Sequence, residues 1–295
     1  MIENVYEVAY GIWNTLISIA MTLFTTSPTN ASGSVYVTTR TLYNSISNIA
    51  IPIAIVFFLI AICKDVTSCP PDQQVKRFFG DVLKFGIMVG ILANLWDIMG
   101  YIMQIADGIT NKFGSASSYT LSMSDDLKNV IAEADVKPSV EVHMVSLWAD
   151  LLQLLSEWTD FLMTKFLFFL TSIVTLIIIV ASCISILSSA FQRIIKPLAI
   201  LPFSSIAVAM GSGSGEATRV TTHYLKSFFG FCLSGAFMVI CVKLGVALMS
   251  GLIVFDYNSL TLHEKVLYIS IQNAITPIMI AGLIKGTDGV LQKFF

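Results

Sequence analysis

FLFFLTSIVTLIIIVASCISIL, residues 166–187, decides how this chain is read, because the run holds no charged residue and matches the roughly 20 apolar residues that a helix needs to cross the hydrocarbon core. Upstream, Val142, Val145, Leu147, Trp148, Leu151, Leu154, Leu155 and Trp158 recur every three or four positions. No Gly or Pro follows Pro138 until Pro197. The spacing therefore predicts an amphipathic helix running from about Val140 straight into the span, one helix of roughly fifty residues at ~1.5 Å per residue. Downstream, Arg193 and Lys196 end the span, and Pro197 and Pro202 bracket a short apolar piece. Met210 to Gly215, MGSGSG, reads as the flexible tip of a cytoplasmic helical hairpin, the alternative being, with the prolines, a broken or re-entrant element.

Further outward the same pattern recurs. Leu42–Cys63, Leu83–Ile105, Phe228–Val254 and Val266–Ile284 are read as the other spans, with Pro52 kinking the first. The composition agrees: 55% of residues are hydrophobic and 12% are charged, against about 25% charged in soluble domains. The predicted fold class is all-α, a polytopic transmembrane helical protein of about five spans plus an N-terminal amphipathic helix. That helix, Val5 to Phe24, alternates apolar residues with Asn4, Glu7, Asn14 and Ser18 and is expected to lie in the interface, the alternative being a sixth span whose polar stripe packs on other helices. No basic segment precedes it, so a removed signal peptide is not expected.

The domain reading is 1–36, amphipathic helix and outer loop; 37–107, the first two spans; 108–162, an outer polar region; and 163–295, the last three spans with a cytoplasmic loop at 193–226. The outer region carries Asp125, Asp126, Glu133, Asp135, Asp150, Glu157 and Asp160. Within it Ser124 is placed to cap a short helix reaching Ala134. Five spans put Lys64, Lys76, Arg77, Lys84, Arg193, Lys196, Arg219, Lys226, Lys285 and Lys293 on one side. The other side receives Arg40, Lys112, Lys128, Lys137, Lys165 and Lys265, diluted by acids. The first side is then cytoplasmic, the N-terminus outside and the C-terminus inside.

Net charge is −2 and no dense Lys/Arg run occurs, which argues against a nucleic-acid surface of the soluble kind. Asp97 and Lys243 are the ionisable residues nearest the middle of spans. With Asn94, Gln272 and Asn273 they could line a polar path. Trp13, Trp148 and Trp158 suit interfacial anchoring. His143, His223 and His263 lack a second ligand at helical spacing, GSGSG lacks the GK[ST] of a phosphate loop, and no nucleophile–base pair can be assembled. No catalytic residue, metal site or cofactor is expected. The five cysteines, Cys63, Cys69, Cys183, Cys232 and Cys241, read as small hydrophobes.

The block from Arg193 to Phe237, RIIKPLAILPFSSIAVAMGSGSGEATRVTTHYLKSFFGFCLSGAF, resembles the TrbL-type polytopic inner-membrane subunit of type IV secretion systems, particularly the conjugal transfer proteins of Gram-positive mobile elements. The likeness covers most of the chain as a layout, and only this block as sequence. It implies a scaffold and translocation-channel subunit in a bacterial cell membrane, assembled as a ring of copies. Its implied partners are other secretion subunits including cytoplasmic ATPases, membrane lipid, and in passing a DNA–protein substrate. Under that resemblance Arg193, Lys196, Arg219 and Lys226 would face cytoplasmic partners or lipid headgroups. The competing classes are a solute transporter or ion channel using Asp97 and Lys243, and a small pore former or membrane anchor.

Overall fold

The computed structural model describes residues 2–29, 33–68, 70–114, 120–137, 147–251 and 260–294. Among these the regular structure is helical: α1 (Ile2–Thr25), α2 (Gly33–Ser47), α3 (Ala50–Ser68), α4 (Pro71–Ala93), α5 (Leu95–Gly114), α6 (Asp125–Asp135), α7 (Leu147–Ile200), α8 (Ser204–Ala209), α9 (Glu216–Gly251) and α10 (Leu262–Phe294). The protein is an all-α polytopic membrane protein. Five helical stretches are long and apolar enough to cross a bilayer: Ile2–Thr25, Ala50–Ser68, Asp150–Ser212, Glu216–Leu248 and Leu262–Leu291. The bent pair Gln73–Ala93 and Leu95–Gly114 passes the same test when taken together.

Local chemistry sets the helix ends. Pro71 occupies the first turn of α4, where its missing N–H costs nothing. Ser124 caps α6 by accepting from the Leu127 N–H at 3.2 Å, and Asp125 and Asp126 sit at the positive end of its dipole. Before α10, Thr261 gives both its N–H and its hydroxyl to Glu264 Oε2, at 2.9 and 2.8 Å, in a capping-box arrangement. Nothing inside α7 interrupts it before Pro197, and the continuous long helix expected from the sequence is present from Leu147. The expected start at Val140, together with Pro138 and His143, lies outside the described residues, as do Cys69 and the end of the fourth span at Val254.

The five candidates are reached by a different route from the one predicted. α1 is one of them, although the sequence suggested a helix lying in the interface. It is amphipathic, but Tyr6, Ala9, Tyr10, Trp13, Ile17 and Ala20 on one face are buried in protein. The expected second span is divided at Asn94 by a 70° bend. The Asn94 N–H bonds back to the carbonyls of Ile91 and Leu92, while its side chain donates to Gly90 O at 3.2 Å. The local polar group thus competes with the helix ladder. The first span begins at Ala50 instead of Leu42, since the chain turns between α2 and α3.

The chain divides into two compact units. The first comprises Met1–Ala20, Ser117–Ser188 and Cys241–Lys285. Its core includes Trp13, Ile17, Leu127, Phe168, Val266 and Ile280, and a line of hydroxyls stitches it together. Tyr6 Oη and Ser270 Oγ are 3.2 Å apart, Ser270 donates to Thr171 Oγ1 at 3.1 Å, and Tyr10 donates to Asn273 Oδ1 at 2.6 Å. α6 is held to α7 and α10 by the ion pairs Lys165–Asp135 and Lys265–Glu133.

The second unit comprises Met21–Ala116, Ser189–Ile240 and Gly286–Phe295. Its core joins Ala54, Leu92, Leu95, Met99 and Met103 to Leu201, Val208 and Phe228. Trp96 packs on Tyr36 and Tyr43 with ring centroids 5.3 and 5.1 Å away. The Arg40 guanidinium lies 5.8 Å from the Trp96 ring centroid, within cation–π range.

Candidate functional site: a buried ionic bridge and a packed turn

The most unusual chemistry lies in the second unit, on α7. Arg193 is 2% exposed, and its guanidinium reaches three groups. Nη1 donates to Leu23 O at 3.1 Å and to Thr26 O at 3.0 Å, and Nη2 donates to Asp107 Oδ1 at 3.1 Å. Leu23 and Thr26 end α1, where carbonyls have no helical partner and a cation meets the negative end of the dipole. One side chain thereby closes α1 and ties it to α5 and α7. Arg193 Nε is buried with no hydrogen-bond partner. Gly235 on α9 makes room for the head group: a Cβ there would fall 2.1 Å from Arg193 Nε.

This corrects the expectation that Arg193 faces a cytoplasmic partner or lipid. It is enclosed, because α7 continues past it to Ile200 instead of ending there. Lys196 is partly buried, whereas Arg219 and Lys226 are exposed; Arg219 pairs with Glu216 at 3.4 Å. Asp107 escaped the sequence reading because it falls just past the expected second span, Leu83–Ile105, at the last position before the region taken as water-facing. A signal was present, since at helical spacing it shares a face with Met99, Met103 and Thr110, all buried.

The expected loop at 193–226 is likewise not open. After α7, residues 201–203 form a single 3-10 turn, α8 follows, and residues 210–212 form another. Leu201, Ser204, Ser205, Ala209 and Ser212 are all at most 1% exposed. The backbone carbonyls of this broken segment are satisfied by side chains. Tyr224 donates to Ile200 O at 3.0 Å, Thr221 to Ala207 O at 2.6 Å, and Thr218 and Lys84 to Gly213 O. Ser212 in turn donates to Ala54 O at 2.7 Å. Irregular backbone is thus paired inside the protein, as an apolar surrounding requires. Gly215, at φ 59°, supplies the left-handed residue that starts α9. MGSGSG is a packed turn, and the mobile tip expected from its glycines is corrected accordingly.

The residues proposed for a polar path are divided. Asn94 and Asp97, both exposed, belong to the second unit, while Lys243 and Gln272, partly buried, and Asn273, buried, belong to the first. Asn273 is consumed by packing: it accepts from Tyr10 and donates to Ile269 O at 2.8 Å. Trp13 is 0% exposed and is a core residue of α1, not a lipid anchor. Trp148 and Trp158 are exposed. Among the described residues, no group of three or more His, Cys, Asp or Glu is placed to hold a metal ion.

No family model, curated protein or solved structure matches the chain.

Proposed function

We propose that this chain is a membrane scaffold and translocation-channel subunit of a type IV secretion system, of the TrbL type, seated in the cytoplasmic membrane of a bacterium. The observation that carries this reading is the 193–237 block: a basic span end, Lys-Pro-Leu, Leu-Pro-Phe, a small-residue turn, and an amphipathic entry to the next span. Its enclosure in protein, with α7 outrunning a bilayer's thickness, suits a load-bearing part better than a mobile loop. In this reading copies assemble as a ring beside cytoplasmic ATPases and help a DNA–protein substrate across. With the five crossings above, the C-terminus and Lys285 are cytoplasmic and the N-terminus is outside. Lys196, Arg219 and Lys226 meet ATPases or anionic headgroups.

The test is the mass and two-dimensional projection of the protein purified in mild detergent or nanodiscs. A closed ring of several copies is expected; a monodisperse monomer or dimer overturns the reading.

A second reading, a solute transporter or ion channel, draws on one observation: an enclosed Arg193–Asp107 pair in the same unit as a helix broken by 70°. It requires saturable uptake into proteoliposomes that Asp107→Asn abolishes.

A further inference from the structure

Charges mark where the bilayer begins along α9. Glu216, Arg219 and Lys226 lie near its start, and the next charged residue is Lys243. The uncharged run that follows Lys226 belongs in hydrocarbon. A lysine at the end of such a run reaches back toward the helix start to bring its ammonium to water, which puts the hydrocarbon edge near His223. Arg219 then falls about 6 Å outside that edge at ~1.5 Å per residue, the depth of the headgroups, and Glu216 falls about one turn further out. α7 packs beside α9 up to the same level: Arg193 lies against Gly235, and further along Ile200 O accepts from Tyr224 at 3.0 Å.

At this level a groove of about 510 Å³ runs between the end of α7 and the start of α9, the size of a small-molecule site. Arg219, His223 and Ser227 line it four positions apart, so a guanidinium, an imidazole and a hydroxyl stand in one row. Ile200, Val220 and Tyr224 make its apolar side, and Glu216 lies at the end away from the span. Glu216 and Arg219 pair at 3.4 Å with side chains 92% and 75% exposed, a contact too solvated to hold the groove shut.

We infer that this groove holds the headgroup of a membrane phospholipid of the phosphoethanolamine type. The order of groups along α9 repeats the order of charges in that headgroup. The phosphate, nearer the acyl chains, accepts from Arg219, His223 and Ser227, and the ammonium, further out, donates to Glu216. The carbon atoms of the headgroup and glycerol lie against Ile200, Val220 and Tyr224. A headgroup with phosphate alone would leave the Glu216 carboxylate facing an anion, and a quaternary ammonium has no N–H to give it. The inference needs only that the chain spans a bilayer, so it holds or fails apart from the ring reading.

The test is native mass spectrometry of the full-length chain in detergent, titrated in turn with phosphatidylethanolamine, phosphatidylcholine and phosphatidylglycerol of identical acyl chains. Phosphatidylethanolamine is expected to bind tightest. Arg219→Gln with His223→Gln should weaken all three lipids by roughly tenfold, as the loss of charge-assisted hydrogen bonds implies. Glu216→Gln should transfer the preference to phosphatidylglycerol. Lys226→Gln, exposed and outside the groove, should change nothing. All four positions are exposed, and an unfolding midpoint equal to the parent's confirms that each variant is folded. Equal binding of the three lipids, a parent that prefers phosphatidylglycerol, or a Lys226→Gln loss as large as that of the Arg219→Gln, His223→Gln pair overturns the groove. Competition by O-phosphoethanolamine as strong as by the lipid overturns the lipid in favour of a soluble ligand.

Discussion

Arg193 Nη2 stands 3.1 Å from Asp107 Oδ1, with 1% and 9% of the two side chains exposed, and the same guanidinium closes the end of α1 through the carbonyls of Leu23 and Thr26. A buried pair of this kind adds little over a well-packed apolar pair, but removing one partner strands a charge, at a cost of about 3–5 kcal/mol. Arg193→Ala and Asp107→Asn are therefore expected to lower the thermal unfolding midpoint sharply, and Arg193→Met with Asp107→Leu to recover most of the loss. Single variants as stable as the parent would show that the bridge does not hold the unit together.

Glycine matters as absent volume, most of all at two positions. At Gly235 a Cβ would lie 2.1 Å from Arg193 Nε, and at Gly245 it would lie 2.3 Å from Ile280 Cγ1. Gly235→Ala and Gly245→Ala are each expected to cost about 1–3 kcal/mol by overpacking, read from unfolding in detergent. At Gly11, where no atom lies within 4 Å of a Cβ, Ala should be neutral or stabilising; equal losses at all three positions would refute the steric argument.

The Tyr10–Asn273 bond tests whether Asn273 packs or conducts. Tyr10→Phe leaves Asn273 Oδ1 buried without its donor, with an expected loss of about 1–3 kcal/mol. If the Tyr10→Phe variant is as stable as the parent, Asn273 has another partner, and its place in a polar path returns to consideration.

Acid should loosen α6. The Lys165 ammonium, hydrogen-bonded to Asp135 and attracting it, holds that carboxyl below its ordinary value of 3.8. A depressed carboxylate contributes stability that is complete above the unfolded value and fades as pH falls through the folded one. Hydrogen exchange across residues 125–135 should therefore accelerate selectively below about pH 4, near the usual aspartate range. In Lys165→Met the exchange should be faster already at neutral pH and depend less on acid; an unchanged profile in that variant would sink the argument.

Much of the architecture is legible in the sequence because its causes are local. An uncharged apolar run of bilayer length, the lack of any Gly or Pro from Leu147 to Lys196, and Ser124 ahead of two aspartates each specify a helix or its end from neighbouring residues alone. The long α7 and the start of α6 follow from the sequence for that reason. Only tertiary structure decided the rest, because burial is a property of what packs against a residue. It placed Trp13 in the core, enclosed Arg193 against Asp107, 86 residues away in sequence, and turned MGSGSG from a loop into a packed turn by bringing Lys84, Thr218 and Ala54 to it. A charge at the end of an apolar run looks solvated in sequence, whereas Asp107, from another element, supplies the counter-charge that makes the burial of Arg193 tolerable.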